Sequence, residues 1–314
     1  MKKIVFLFLF ATALVTALPN SSLPPDTKNI FIQVDHAKLF CQSMGEGTPL
    51  IVLHGGPGLS QEYLHPYLNK LAENHFVIFY DQRGSGRSEG ETDSTDINIK
   101  VFVNDLEKIR QHFGFKKVSI LGHSWGGFLA MHYAISHPEA IDKLVLLSSL
   151  PASSEDFALF AKEYSHRMTP FMEELKQIQT SKEFVAGDPN TVANYLKIIF
   201  RTYCVAPERA DELNFQASAQ ANVNFIKTSK IFQQTLLSSS FDLRDELKKL
   251  SCKTLIIHGD KDPIPLPTAR TLHLNIKDSK FVTLENCGHF PYIEKRQEFF
   301  DAVGAFLADN LKEH

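Results

Sequence analysis

The stretch KKVSILGHSWGGFLA, residues 116–130, constrains this chain more than any other. Residues 118–121 are apolar and β-branched enough for a buried strand, and 127–134 read as a helix. Only G-H-S-W-G lies between them. A strand that becomes a helix within so few residues brings neighbouring backbones very close. Gly122 and Gly126 permit that approach because they carry no Cβ. Ser124 is left projecting from the corner at a helix N-terminus, where the dipole favours developing negative charge.

The rest of the chain gives that corner a setting. Further strand-like runs fall at 30–34, 38–43, 50–53, 76–80, 144–147, 254–258 and 281–284, which makes eight with 118–121. Several are continuously apolar, as strands covered on both faces must be. Helical segments are predicted at 63–73, 99–113, 127–136 and 294–311. The helix over 99–113 has the clearest period, with Val101, Phe102, Leu106, Ile109 and Phe113 along one side. Alternating strand and helix predicts an α/β fold with a mainly parallel sheet. The first two runs have no helix between them and read as an antiparallel hairpin at one edge. From 151 to 249 the alternation stops. That stretch is mostly helical and predicts a cap inserted between a first core part, 26–150, and a second, 250–314.

Charge and composition exclude several functions. The 314 residues carry a formal net charge of −3 with no basic block to follow a phosphate backbone, so no nucleic-acid partner is expected. Gly84-Ser-Gly86 lacks the GK[ST] ending of a phosphate loop, and no metal-binding motif is present. No cofactor is implied. Lys2 and Lys3 precede an apolar run at 4–15, with Ala17 just beyond it. This order predicts a signal peptide over 1–17 and export to the periplasm or exterior, with no membrane insertion after cleavage. Cys41, Cys204, Cys252 and Cys287 are widely spaced and read as buried thiols rather than bridges.

A serine at such a corner needs a base, and the base needs a carboxylate. After the insertion, TLIIHGDKDPIP ends a strand in a loop with Asp260 and Asp262. FVTLENCGHFPYIE then ends the last strand in a loop with His289. The chain order Ser, acid, His is that of a nucleophile elbow and its partners. All three loops fall at the strand C-terminal edge, where open α/β sheets bind ligands.

With H-G-G-P-G at 54–58, D-Q-R-G-S-G-R-S at 81–88 and G-H-S-W-G-G at 122–127, the chain resembles the α/β-hydrolases, and within them the proline iminopeptidase branch. The resemblance implies an eight-stranded, mainly parallel sheet with helices on both faces and an inserted helical cap. It implies Ser124 as nucleophile, His289 as base and Asp262 as acid, with Asp260 the alternative in the same loop. It also implies an oxyanion hole from the backbone amides of Gly56 and Trp125, with Gly55 as a shift by one. His54 and His123 read as structural, and His258 as a core residue beside the site. Asp81 and Arg83 read either as site-lining or as a loop-fixing ion pair.

The implied substrate is a small molecule or short peptide. The resemblance implies an aminopeptidase that releases N-terminal proline or another small residue. Such peptidases grip the free amine with acidic cap residues, yet 214–241 contains no Asp or Glu. A carboxylesterase on small acyl esters would use the same triad beneath a pocket of Phe200, Tyr203, Phe215, Phe225, Phe232 and Phe241. A triad-bearing protein that binds without turnover is the alternative from another class.

Overall fold

The computed structural model describes residue 24 and residues 26–90, 92–236 and 240–308. The predicted signal peptide, and the end of the last predicted helix, lie outside the described residues.

Among the described residues, nine strands form one sheet: β1 (Lys28–Val34), β2 (Ala37–Met44), β3 (Thr48–Leu53), β4 (His75–Tyr80), β5 (Glu89–Gly90), β6 (Val118–His123), β7 (Ile141–Leu147), β8 (Lys253–Gly259) and β9 (Ser279–Leu284). Eight of them follow the order β1-β2-β4-β3-β6-β7-β8-β9, and the two-residue β5 pairs with β2. β1 and β2 form the expected antiparallel edge hairpin, and β2 is also antiparallel to β4. Every pairing from β4 through β3 to β9 is parallel.

The sequence dictates why this sheet is buried on both faces. Along β3, Ile51 and Leu53 belong to one core cluster while Leu50 and Val52 belong to the other. The same alternation divides Leu144 and Leu146 from Val145 and Leu147 on β7. Successive side chains of a strand point to opposite faces, so a continuous apolar run feeds both layers. One layer rests on α1 (Ile99–His112) and α2 (Trp125–Ser136). The Asn98 side chain caps α1 by accepting the Val101 N–H at 3.1 Å.

Between β7 and β8 the chain runs through α3 (Ser154–Met168), α4 (Met172–Gln179), α5 (Lys182–Val185), α6 (Pro189–Arg201), α7 (Ala219–Leu236) and α8 (Arg244–Leu247). An isolated bridge, Ser153 to Asp242, joins the two ends of this helical insertion. The second part of the core adds α9 (Leu266–Asn275), α10 (Pro291–Glu294) and α11 (Arg296–Ala308).

Two local expectations need correction. The helix predicted over 63–73 is two short 3-10 segments, Gln61–Leu64 and Tyr67–Glu73, separated at His65-Pro66. Pro66 has no N–H to donate and interrupts the ladder. The strand β5 was not expected, because a Glu-Gly pair carries no strand signal of its own.

Candidate active site

β6 and α2 meet at Ser124, whose backbone lies at φ 57° and ψ −119°. Hydrogen bonds on both sides hold that strained turn. The Ser124 N–H donates to the Leu147 carbonyl at 3.0 Å, and its carbonyl accepts the Gly127 and Leu150 N–H groups at 3.0 and 3.1 Å. The flanking glycines are required by close approach. A Cβ on Gly122 would lie 2.3 Å from the Gly126 carbonyl oxygen, and one on Gly126 would lie 2.3 Å from that of Leu53.

The loop after β8 brings up the acid. Asp262 is buried, and both its oxygens accept from His289 Nδ1, at 2.9 and 3.0 Å. Burial alone would raise the Asp262 pKa. The attraction of His289 and His258, with hydrogen bonds from His289 and the Ile264 N–H, instead holds it below the usual carboxylate range. With Nδ1 carrying a proton toward Asp262, the lone pair of the corresponding neutral tautomer lies on Nε2. Asp260 faces elsewhere. Its Oδ1 accepts the Cys287 N–H at 3.2 Å and its Oδ2 pairs with Lys261 at 3.0 Å. His258 donates from Nε2 to the Ile264 carbonyl at 2.7 Å and lies 3.8 Å from Asp262.

The loop after β3 forms the facing wall. Gly56, at φ 50°, borders the same cavity as Ser124 and Trp125. The Gly55 N–H is turned away and donates to Tyr63 Oη at 2.5 Å. His54 pins this loop: its Nδ1–H donates to the Gly55 carbonyl at 3.0 Å and its Nε2 accepts the Gln82 N–H at 3.0 Å. Burial lowers the His54 pKa to about 4. Gln82 also accepts the Trp125 indole N–H at 2.8 Å. Arg83 is bidentate to Asp105 at 2.7 and 3.0 Å, so the D-Q-R segment fixes loops.

The insertion is tied into the loops that carry His289 and Asp262. The Tyr203 carbonyl accepts the His289 N–H at 2.9 Å, and its ring packs edge-on against the imidazole at 5.0 Å. Arg167 donates to the Thr202 carbonyl at 2.9 Å and to the Lys261 carbonyl at 3.1 Å. Glu294 accepts N–H groups from Val205, Gly288 and Phe290 at 2.8, 3.1 and 3.3 Å.

Ser124 opens into a cavity of about 400 Å³. Of the six aromatic residues expected to line a pocket, Tyr203 and Phe232 border it. Phe200 and Phe215 stack on each other at 4.9 Å, Phe225 borders a smaller recess, and Phe241 packs edge-on against Phe128 at 5.2 Å. Sequence reasoning missed the aromatic wall supplied by α3, made of Phe157, Phe160 and Tyr164. Their spacing of three and four residues is one helical face, and that was the available signal. Among the described residues, no carboxylate or cationic side chain borders the cavity. Nor is any group of three His, Cys, Asp or Glu side chains among them placed to hold a metal ion.

Residues 48–296 match the family model of the alpha/beta hydrolase fold. The chain belongs to the α/β-hydrolase family. This hydrolase is 31% identical over 284 residues to a proline iminopeptidase of Heyndrickxia coagulans, spanning 88% of this chain and 97% of that one. It is 30% identical over 279 residues to a proline iminopeptidase of Lactobacillus crispatus (strain ST1), spanning 83% and 90%. Among solved structures, the proline iminopeptidase of Mycobacterium smegmatis superposes with a TM-score of 0.68 at 22% identity, covering 90% of this chain and 98% of that one. That likeness shows the shared fold. The α/β-hydrolase is an enzyme of the serine hydrolase type.

Proposed function

We propose that Ser124, His289 and Asp262 form the catalytic triad of an aminopeptidase that releases N-terminal proline or another small residue from short peptides. The observations that carry the triad are the His289–Asp262 pair, at 2.9 and 3.0 Å, and the strained corner that presents Ser124. The substrate reading draws on the proline iminopeptidase relatives and on a cavity of about 400 Å³, which suits a small residue.

In this mechanism His289 Nε2 takes the Ser124 proton as Oγ attacks the substrate carbonyl. Asp262 holds the imidazole in the required tautomer and stabilises its cation. The Gly56 and Trp125 amides receive the oxyanion, each worth about 2.7–4 kcal/mol in comparable sites. His289 then protonates the leaving amine, and water resolves the acyl-enzyme by the same route. Lys2, Lys3 and the apolar run at 4–15 support export of the enzyme.

One observation favours a second reading, a carboxylesterase. The cavity wall offers aromatic and neutral side chains and no carboxylate to a substrate ammonium. An unpaired charge in such a wall is costly, whereas a small acyl chain is not. The two readings separate on proline β-naphthylamide, its N-acetyl form and p-nitrophenyl butyrate. The aminopeptidase reading expects rapid cleavage of the free amine alone among the two amides. Ester turnover with both amides inert would replace it by the esterase reading.

A further inference from the structure

Four buried groups form one continuous chain between the two halves of this site. The Gly55 N–H donates to Tyr63 Oη at 2.5 Å, Tyr63 Oη lies 2.8 Å from His123 Nδ1, and His123 Nε2 lies 2.9 Å from the His289 carbonyl oxygen. Tyr63 is 2% exposed, and His123 and His289 are each 1% exposed, so no bulk water competes.

The proton positions along this chain are forced. A carbonyl oxygen can only accept, so His123 Nε2 carries a hydrogen. Burial, and after it the neighbouring His289, lower the His123 pKa to about 3, so the ring is neutral at ordinary pH and Nδ1 is bare. Tyr63 must then donate to Nδ1, which leaves its lone pair for the Gly55 N–H. The peptide joining His54 and Gly55 is held at its other end too, since the His54 carbonyl accepts from Gln82 Nε2 at 2.8 Å. At the far terminus, His289 has its carbonyl taken by His123 and its N–H taken by Tyr203 at 2.9 Å.

We infer that Tyr63 and His123 are positioning residues whose hydrogen-bond relay sets the Gly56 loop and the His289 backbone in one register. The inference rests on the proposed roles of Ser124, His289 and Gly56. The physical reason is cooperative. Removing the Tyr63 hydroxyl leaves the Gly55 N–H and His123 Nδ1 without partners in a dry interior. The loop peptide then gains by rotating toward another acceptor, and the His123 ring, anchored through Nε2 alone, by turning to pair its bare Nδ1. The first change moves the Gly56 amide, and the second releases the His289 carbonyl. Neither Tyr63 nor His123 itself borders the cavity, so binding of the ground state is spared.

Phosphonylation by a fluorophosphonate probe, followed by intact mass and peptide mapping, tests this without a known substrate. The serine oxygen–phosphorus bond forms, fluoride leaves, and the serine proton passes to His289. The variants are Tyr63→Phe, His123→Gln and the double variant, with thermal unfolding as the measure of folding. His123→Gln keeps a donor for the His289 carbonyl, while its flexible amide no longer fixes a ring acceptor at the Nδ1 position for Tyr63. The expected result is a maximal labelling rate reduced about 10–100-fold in each single variant, below the 10²–10³ for deleting an oxyanion donor. The probe concentration giving half that rate should stay within about threefold. The double variant should cost no more than the worse single one, as residues in one network do. A wild-type maximal rate in either single variant overturns the relay, whatever the unfolding temperature, as does a loss carried entirely by probe binding. If Tyr63→Phe fails to fold, His123→Gln decides by the same criteria. A wild-type chain that is not labelled at Ser124 overturns the triad reading itself, and the relay with it.

Discussion

Ser124 occupies a backbone region that costs an L-residue about 1–3 kcal/mol, and the surrounding hydrogen bonds over-determine it. That cost separates two variants that lose the same hydroxyl. Ser124→Gly relieves the strain while Ser124→Ala retains it. Both should abolish turnover, and the glycine variant should be the more stable of the two by about 1 kcal/mol in urea unfolding. Equal stability would show that the corner is not strained. At this scale much of the site was legible in the sequence. Ser124, Asp262 and His289 sit at loop positions fixed by strand ends, and motif spacing captures those. Asp262 is preferred to Asp260 on the same ground, its place three residues after Gly259, but the turn of the Gly55 N–H toward Tyr63 could not be read that way. That turn depends on which way a loop amide faces after packing. The histidine roles followed from burial: His54 and His123 are neutral structural groups.

Elements carry the second level of organisation, and the insertion is the instructive one. Its turn at 202–205 is bonded to both loops of the candidate site, through Tyr203 to His289 and through Arg167 to the segment before Asp262. Gly288 is where the fit is tightest, because a Cβ there would lie 2.2 Å from the Tyr203 carbonyl oxygen. Gly288→Ala should therefore push the turn away from His289. The expected outcome is a loss of about 1–3 kcal/mol in unfolding free energy together with reduced turnover. Unchanged stability and rate would mean that the turn does not bear on the base. The sheet was legible because buried parallel strands leave continuous apolar runs. The cap was legible only as helix. Its tertiary arrangement decides which aromatic residues reach the cavity, so Phe157, Phe160 and Tyr164 replaced four of the residues expected there.

For the molecule as a whole, stability must depend on pH through histidines kept neutral by burial. His132 on α2 lies outside the site, packs against Phe128 at 4.7 Å, and has its pKa lowered by burial to about 4. Unfolded, it would titrate near 6.5. Above that value it is neutral in both states and its contribution is complete. As pH falls toward about 4 the unfolded chain takes up a proton that the folded chain refuses, and stability is lost. His132→Leu removes this loss. Relative to wild type, the variant should gain about 2 kcal/mol between pH 7 and pH 4.5, read from urea unfolding at both. An identical difference at the two pH values would contradict the buried neutral state.

If Ser124 is the nucleophile it carries the acyl group during turnover, and the group can be caught there. Rapid acid quenching during turnover of p-nitrophenyl butyrate, followed by peptide mapping, should find the butyryl ester on Ser124 and none in Ser124→Ala, which should also be inactive. An acyl group on another residue, or turnover that survives Ser124→Ala, would contradict the account.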